Sequence, residues 1–129
     1  MTGSKCLLDT SIIIHAFKND SIIVAQLNSI EDIIVPVTVI GELYYGAYKS
    51  DNPVKHISQV QAFLLNCKMV SCDPTTACIY GSVKSNLIRK GKPIPENDIW
   101  IAAFAIQYNL PLFTTDKHFE EIDNLNFFK

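Results

Sequence analysis

The sequence contains little glycine and proline, with 5 and 6 residues among 129, and it has no low-complexity stretch. Because 48% of its residues are hydrophobic, an intrinsically disordered chain and a collagen-like repeat are excluded. The chain has no internal repeat and no linker, and its length is typical of one domain. We therefore expect a single globular domain over residues 1–129.

The sequence also lacks a hydrophobic run long enough to cross a membrane. Its longest uncharged segment, residues 99–115, contains Gln107, Asn109 and Pro111, and it falls short of the roughly 18 apolar residues that a membrane helix needs. No basic segment followed by an apolar one opens the chain, as it would in a secretory signal. We expect a cytoplasmic protein that has no membrane partner.

Basic residues are not in excess, because 13 acidic residues outnumber the 11 lysines and arginines. This balance is unlike that of proteins that bind nucleic acid through a broad basic surface. One segment differs, since it contains four cations and no acid: Lys84, Arg89, Lys90 and Lys92. These side chains could contact an RNA backbone, or they could be the solvated end of a helix whose dipole favours cations.

Cysteines and histidines do not have the spacing of a zinc site. There is no C-x-x-C pair, and apolar neighbours predict buried free thiols at all four cysteines: Cys6, Cys67, Cys72 and Cys78. We interpret the three histidines as structural or surface residues: His15, His56 and His118.

Short apolar segments alternate with segments of helical periodicity along the chain. The apolar segments predict four buried strands, at residues 6–8, 33–35, 68–70 and 112–114. The helical segments begin at residue 10 or 11 and then cover residues 21–29, 37–48, 54–66, 75–89, 98–107 and 118–122. The tail at residues 126–128 could add an edge strand. This order predicts an α/β fold with a parallel sheet of four to five strands flanked by helices.

Four acidic residues lie outside the obviously solvated stretches of the sequence: Asp9, Glu42, Asp98 and Asp116. Taken singly, each could cap a helix, occupy a turn or face water. Two of them end predicted strands, however, and a third opens the helix predicted to be most buried. Because the carboxyl ends of parallel strands meet at one edge of a sheet, we expect the acids to converge there.

Converged carboxylates need a counter-charge. Two carboxylates about 4 Å apart repel by about 4 kcal/mol at an effective dielectric constant of about 20, so such a group binds either protons or a divalent ion. Oxygen ligands without cysteine or histidine favour Mg²⁺ or Mn²⁺. An ion held in this way can bind a phosphate and activate a water for attack on it.

Four motifs, in this order, closely resemble those of the PIN-domain nucleases, and above all of the VapC-type toxins of toxin–antitoxin systems. They are residues 7–11 (LLDTS), 41–43 (GEL), 97–103 (NDIWIAA) and 112–119 (LFTTDKHF). The similarity extends over essentially the whole chain. It implies a PIN-like, Rossmann-like sheet and a ribonuclease that uses Mg²⁺, or Mn²⁺ in its place, to hydrolyse RNA phosphodiester bonds.

The resemblance also implies roles for individual residues and partners. It gives a catalytic role to Asp9, Glu42, Asp98 and Asp116, of which the three aspartates bind the metal. Thr114 supports this group, and Ser11 is a weaker candidate of the same kind. The implied partners are an RNA substrate such as transfer RNA, a cognate antitoxin protein and a second copy of the chain in a homodimer. Whether Glu96, beside Asp98, joins the group is left open.

Three alternatives remain open at this point. A PIN-fold nuclease could process RNA without an antitoxin. A phosphate-receiving signalling domain could bind Mg²⁺ through strand-end acids, with Asp9 as nucleophile and Lys117 opposite it, but Glu42 would then have no role. A protein could also keep the fold for binding alone, although all four acidic positions are filled.

Overall fold

Four short apolar segments form one parallel sheet in the computed structural model, which describes residues 4–129. The first three residues of the predicted domain lie outside the described residues. The strands are β1 (Lys5–Leu8), β2 (Asp32–Pro36), β3 (Lys68–Val70) and β4 (Leu112–Phe113), in the order β3-β2-β1-β4. All neighbouring strands are parallel. The prediction of a parallel α/β fold is confirmed.

Six α-helices flank the sheet within residues 4–129: α1 (Thr10–Phe17), α2 (Ser21–Asn28), α3 (Val37–Tyr48), α4 (Pro53–Leu64), α5 (Pro74–Arg89) and α6 (Glu96–Gln107). Side chains at the N-caps of four of them accept backbone N–H bonds: Asp9, Asp20, Asn52 and Asp73. Six of the seven predicted helices are present as α-helices, and their bounds, where predicted, agree within two residues.

The end of the chain differs from the prediction in three details. Residues Lys117–Glu121 form a 3₁₀ helix, not an α-helix. The strand β4 ends at Phe113, one residue early, because the next side chain turns toward Asp9. The tail adds no fifth strand among the described residues. It makes one parallel bridge, between Leu112 and Phe127, since a two-residue strand offers little edge for pairing.

Helix α6 lies in the core and is apolar on nearly every side. Ile99 and the run Ile101–Ala105 are buried, and they pack in one cluster with strand residues such as Leu8 and Leu112. Burial of this helix fixes the position of its first turn, which carries Asp98. The core therefore holds an acidic residue beside the sheet.

The cysteine prediction is wrong for two of the four residues. Cys6 is buried and Cys67 half-buried, but Cys72 and Cys78 are exposed. Cys72 lies in the loop after β3, and Cys78 lies on the outer side of α5, where apolar sequence neighbours do not imply burial. Burial raises the pKa of the Cys6 thiol to about 12. No helix among residues 4–129 has the length and apolar composition needed to cross a membrane.

Candidate active site

The pairing of β1 with β4 brings Asp9 and Thr114 together. Leu8 lies opposite Phe113 in the register, and the Asp9 N–H donates to the Phe113 carbonyl at 3.0 Å. The polypeptide segments that follow β1 and β4 therefore leave the sheet at the same edge. This register places Asp9 and Thr114 side by side at the carboxyl ends of β1 and β4.

Asp9 is buried, with only 3% of its surface exposed, and its carboxylate accepts three hydrogen bonds. Thr10 N–H donates to Oδ1 at 2.8 Å, so Asp9 also caps α1. The hydroxyls of Ser11 and Thr114 donate to Oδ2 at 3.0 and 2.7 Å. Burial raises the pKa of Asp9, these hydrogen bonds oppose the rise, and the charge of Asp116 adds to it.

Asp98 lies in the first turn of α6, and its side chain is 13% exposed. Its pKa is raised to about 6, chiefly by burial, then by the charge of Asp9, with Asp116 adding to the rise and His118 opposing it. Asp116 is 47% exposed, and its N–H donates to the Thr114 hydroxyl at 2.9 Å. The three predicted aspartates thus interact electrostatically with one another.

His118, interpreted from the sequence as a structural or surface residue, lies in this group beside Asp98 and Asp116. Its Nε2 is 2.8 Å from Asp98 Oδ2 and 3.3 Å from Asp116 Oδ2. This nitrogen is shielded from solvent, and within residues 4–129 it has no well-aligned hydrogen-bond partner despite the short distances. One donor atom from each of Asp98, Asp116 and His118 falls within 4.8 Å of the others, a spacing that can hold a metal ion.

The sequence contained one signal for His118. It stands two residues after Asp116 in the fourth motif, and the 3₁₀ helix turns the chain so that the imidazole faces back toward that aspartate. Asp9 is outside the 4.8 Å group, and both its oxygens accept hydrogen bonds.

Glu42 approaches the site from α3. Its Oε1 accepts a hydrogen bond of 2.8 Å from the hydroxyl of Thr10, the residue after Asp9. Glu42 is half-buried and is not in the group formed by Asp98, Asp116 and His118. It lines an open cleft together with Thr10 and Asn97, the residue before Asp98. The fourth predicted acid therefore lies beside the sequence neighbours of Asp9 and Asp98 without joining the aspartates.

Glu96 points away from the aspartates, toward α5. Its carboxylate accepts a hydrogen bond from the Tyr80 hydroxyl and is 3.0 Å from Lys84 Nζ. Both contacts lower the pKa of Glu96. Tyr80 also stacks on Trp100, with ring centroids 4.0 Å apart. Glu96 thus joins α5 to α6 and does not join the acidic group.

The four cations of the basic segment are in different environments. Lys84 is paired with Glu96, and Lys90 is 3.4 Å from Asp123 and donates to the carbonyl of Glu121. Arg89 and Lys92 are exposed and have no ion-pair partner within the described part of the chain. Two of the four are therefore occupied by contacts within the protein.

Comparisons with known proteins agree with this arrangement. Residues 6–125 match the family profile described as PIN domain. The chain is 35% identical over 121 residues to Ribonuclease VapC2 of Haemophilus influenzae, covering 92% of each chain. It is 31% identical over 125 residues to the tRNA(fMet)-specific endonuclease VapC of Shigella flexneri, covering 94% of each chain.

A solved structure has a similar fold. The crystal structure of VapBC2 from Rickettsia felis, bound to a promoter DNA fragment, superposes with a TM-score of 0.92 at 29% identity. The alignment covers 96% of this chain and 97% of that one. These matches confirm the resemblance inferred from the four motifs.

Proposed function

Because the chain belongs to the PIN-domain family, we propose that it is a metal-dependent endoribonuclease and the toxin of a type II toxin–antitoxin system. The observation that carries the proposal is the convergence of three carboxylates, Asp9, Asp98 and Asp116, at one edge of the sheet. Asp9 and Asp116 both raise the pKa of Asp98, as expected for acids that share a binding site for a cation. RNA is the proposed substrate because the relatives are named as a ribonuclease and a tRNA(fMet)-specific endonuclease.

The donor set fits Mg²⁺ or Mn²⁺. Asp98 and Asp116 offer carboxylate oxygens, Asp9 lies beside them, and His118 offers a shielded nitrogen that Mn²⁺ accepts more readily than Mg²⁺. A bound divalent ion would supply the positive charge that attracts a phosphodiester and polarises it toward attack by water. Among residues 4–129, no lysine or arginine forms an ion pair with these aspartates, and His118 is the basic side chain beside them.

The surrounding residues have distinct proposed roles. Thr114 and Ser11 hold the Asp9 carboxylate in one orientation through their hydroxyls. Glu42 acts as the base that accepts a proton from the attacking water, because it flanks the group without belonging to it. Thr10 orients Glu42 through their hydrogen bond. Lys84, Arg89, Lys90 and Lys92 remain proposed RNA contacts, of which only Arg89 and Lys92 are unpaired within residues 4–129.

The proposed partners follow from the relatives. The Shigella relative is named for transfer RNA cleavage, so a structured RNA is the first substrate to test. The Rickettsia relative was solved as VapBC2, and a VapC-type toxin implies a cognate antitoxin and a homodimer. The alternative is a PIN-fold nuclease that processes RNA without an antitoxin. Co-purification of the chain with the product of an adjacent gene would favour the toxin over this alternative.

The test is cleavage of RNA by the purified protein. We expect cleavage of transfer RNA or total RNA with Mg²⁺ or Mn²⁺, none with EDTA, and none by Asp98→Asn. Asp51→Asn is the matched control, because Asp51 is exposed and remote in sequence from the motifs. Cleavage that persists in EDTA, or in Asp98→Asn, would refute the proposal.

A further inference from the structure

An open cleft lies beside Glu42 and has no role in the chemistry described above. It has a volume of about 620 Å³ and is lined by α3 together with the first residues of α1 and α6. Glu42 and Asn97, the neighbour of Asp98, border the cleft on the side of the acidic group. Thr38, Tyr45 and Lys49 also line it. A polymer that is cut at the aspartates would extend into this space.

Tyr45 and Lys49 give the cleft an aromatic surface and a positive charge. Tyr45 is 67% exposed, which is unusual for a large aromatic residue. Lys49 Nζ lies 4.9 Å from the centroid of the Tyr45 ring, within the range of a cation–π contact. Lys49 forms no ion pair with any residue from 4 to 129. One face of the ring carries a cation, and the other remains available for stacking.

Two further features concern the space in the cleft and the polar groups at its surface. Gly41 and Gly46 line it, and no atom lies within 4 Å of where their Cβ atoms would be. A glycine inside a helix costs about 1 kcal/mol relative to alanine, and packing within the described chain does not require either glycine. In addition, the hydroxyl of Thr38 is shielded from solvent without a hydrogen-bond partner among residues 4–129.

We propose that this cleft binds one unpaired nucleotide of the RNA substrate, adjacent to the phosphodiester at the acidic group. The base stacks on the free face of Tyr45, and the ammonium of Lys49 contacts a phosphate. Asn97, which is exposed, can hydrogen-bond to the nucleotide's polar groups. Stacking on an aromatic ring requires an unpaired base, so the site selects single-stranded loops. This inference rests on the proposed function and adds a substrate-binding site to it.

The chain provides matched controls for both residues. Tyr48 is also on α3 and is 66% exposed, but it does not line the cleft. Lys55 is exposed on α4 and likewise lies outside the cleft, so Lys55→Gln changes the net charge as Lys49→Gln does. If any exposed tyrosine affected RNA binding, the Tyr45 and Tyr48 variants would change it equally. If net charge alone mattered, the Lys49 and Lys55 variants would change it equally.

The experiment measures binding of a fluorescein-labelled 12-nucleotide oligouridine by anisotropy, with Ca²⁺ in place of Mg²⁺ and the RNA checked for integrity by gel. We expect Tyr45→Ala to weaken binding by roughly 5- to 100-fold, as for the loss of one stacked base, and Tyr48→Ala by less than about twofold. Lys49→Gln should reduce the slope of log affinity against log salt by about 0.7, and Lys55→Gln should leave it unchanged.

A second measurement does not depend on the variants. An oligouridine carrying 5-iodouridine should crosslink to Tyr45 of the parent protein on irradiation, and fragmentation of the crosslinked peptide by tandem mass spectrometry should distinguish an adduct on Tyr45 from one on Tyr44 or Tyr48. Adducts elsewhere, and none on Tyr45, would overturn the inference. So would equal effects of Tyr45→Ala and Tyr48→Ala.

Failure of this inference can be distinguished from failure of the proposed function. If the parent cleaves RNA but Tyr45→Ala binds and cleaves as the parent does, only the nucleotide site is wrong. If Tyr45→Ala alone dissociates a dimer, as measured by light scattering, this face belongs to a contact between chains and the nucleotide site is also wrong. If the parent neither binds nor cleaves RNA, the proposed function itself is overturned.

Discussion

The hydroxyl of Thr114 donates to Asp9 Oδ2 at 2.7 Å and accepts the backbone N–H of Asp116 at 2.9 Å. It therefore connects two residues of the acidic group that are separated by more than a hundred positions in the chain. This hydrogen bond opposes the rise in the pKa of Asp9, because it stabilises the ionised form. Thr114 thus favours the ionised form of a buried carboxylate and restricts its orientation.

Thr114→Val should therefore weaken metal binding without disrupting the fold. Loss of the hydroxyl leaves Asp9 with one fewer donor and raises its pKa further, and we expect Mn²⁺ affinity to fall by about 10-fold or more, as for other partners of ligand side chains. Calorimetric Mn²⁺ titration measures this change. Thr114→Ser should restore the affinity, and Thr115→Val is the control at a neighbouring exposed threonine. Unchanged affinity in Thr114→Val would contradict the role given to this hydroxyl.

The raised pKa of Asp98 makes the stability of the metal-free protein depend on pH. Its pKa in the folded state is about 6, against an ordinary value of 3.8, so the folded state binds more protons than the unfolded state between these values. Stability contributed by Asp98 is then greatest at low pH and falls as pH rises from about 4 to 7. The loss should be about 1 to 3 kcal/mol.

Denaturant unfolding in EDTA at pH 5 and at pH 7.5 measures this dependence. Asp98→Asn should be more stable than the parent at pH 7.5 and should show a smaller difference between the two pH values, since asparagine carries no charge. Mg²⁺ or Mn²⁺ should stabilise the parent at pH 7.5. An Asp98→Asn protein that is less stable than the parent at pH 7.5 would contradict the electrostatic account of the site.

His118 should contribute to metal binding, since its Nε2 faces both Asp98 and Asp116. We expect His118→Ala to lower Mn²⁺ affinity and to remove nitrogen coupling from the pulsed electron paramagnetic resonance spectrum of the bound Mn²⁺. His15→Ala is the control, because His15 is exposed and paired only with Asp20. If nitrogen coupling is absent from the parent, His118 is not a ligand and acts only through its contacts with the aspartates.

The convergence of Asp9, Asp98 and Asp116 could be predicted from the sequence because backbone rules decide it. Asp9 directly follows β1, Asp116 comes three residues after β4, and Asp98 lies in the first turn of a helix too apolar to be anywhere but the core. The separation of Glu96 from Asp98 follows from similar reasoning, since side chains two positions apart on a helix do not face each other.

Other features depend on the direction in which individual side chains point, which the hydrophobic periodicity of a sequence does not predict. His118 reaches the aspartates only because a single 3₁₀ turn reverses its direction, and five residues are too few to produce a recognisable pattern. Exposure of Cys72 and Cys78 was missed for a related reason, since hydrophobic neighbours in sequence are not neighbours in space. The tail at Phe127 forms one bridge because its partner strand, β4, has only two residues. The apolar composition of this segment did not indicate that the strand would be so short.

Glu42 provides the sharpest distinction between binding a metal and catalysing a reaction. It hydrogen-bonds to Thr10 but lies outside the group formed by Asp98, Asp116 and His118. Glu42→Gln keeps the shape of the side chain and can keep the contact with Thr10, yet it can no longer accept a proton. We therefore expect Mn²⁺ affinity to change by less than about threefold while the RNA cleavage rate falls by about 10² to 10⁴, the range for loss of a general base.

Single-turnover cleavage of the same RNA and calorimetric titration measure the two quantities separately, with Glu31→Gln as the control at an exposed acid. A large loss of Mn²⁺ affinity would make Glu42 a ligand, and an unchanged cleavage rate would exclude it as the base.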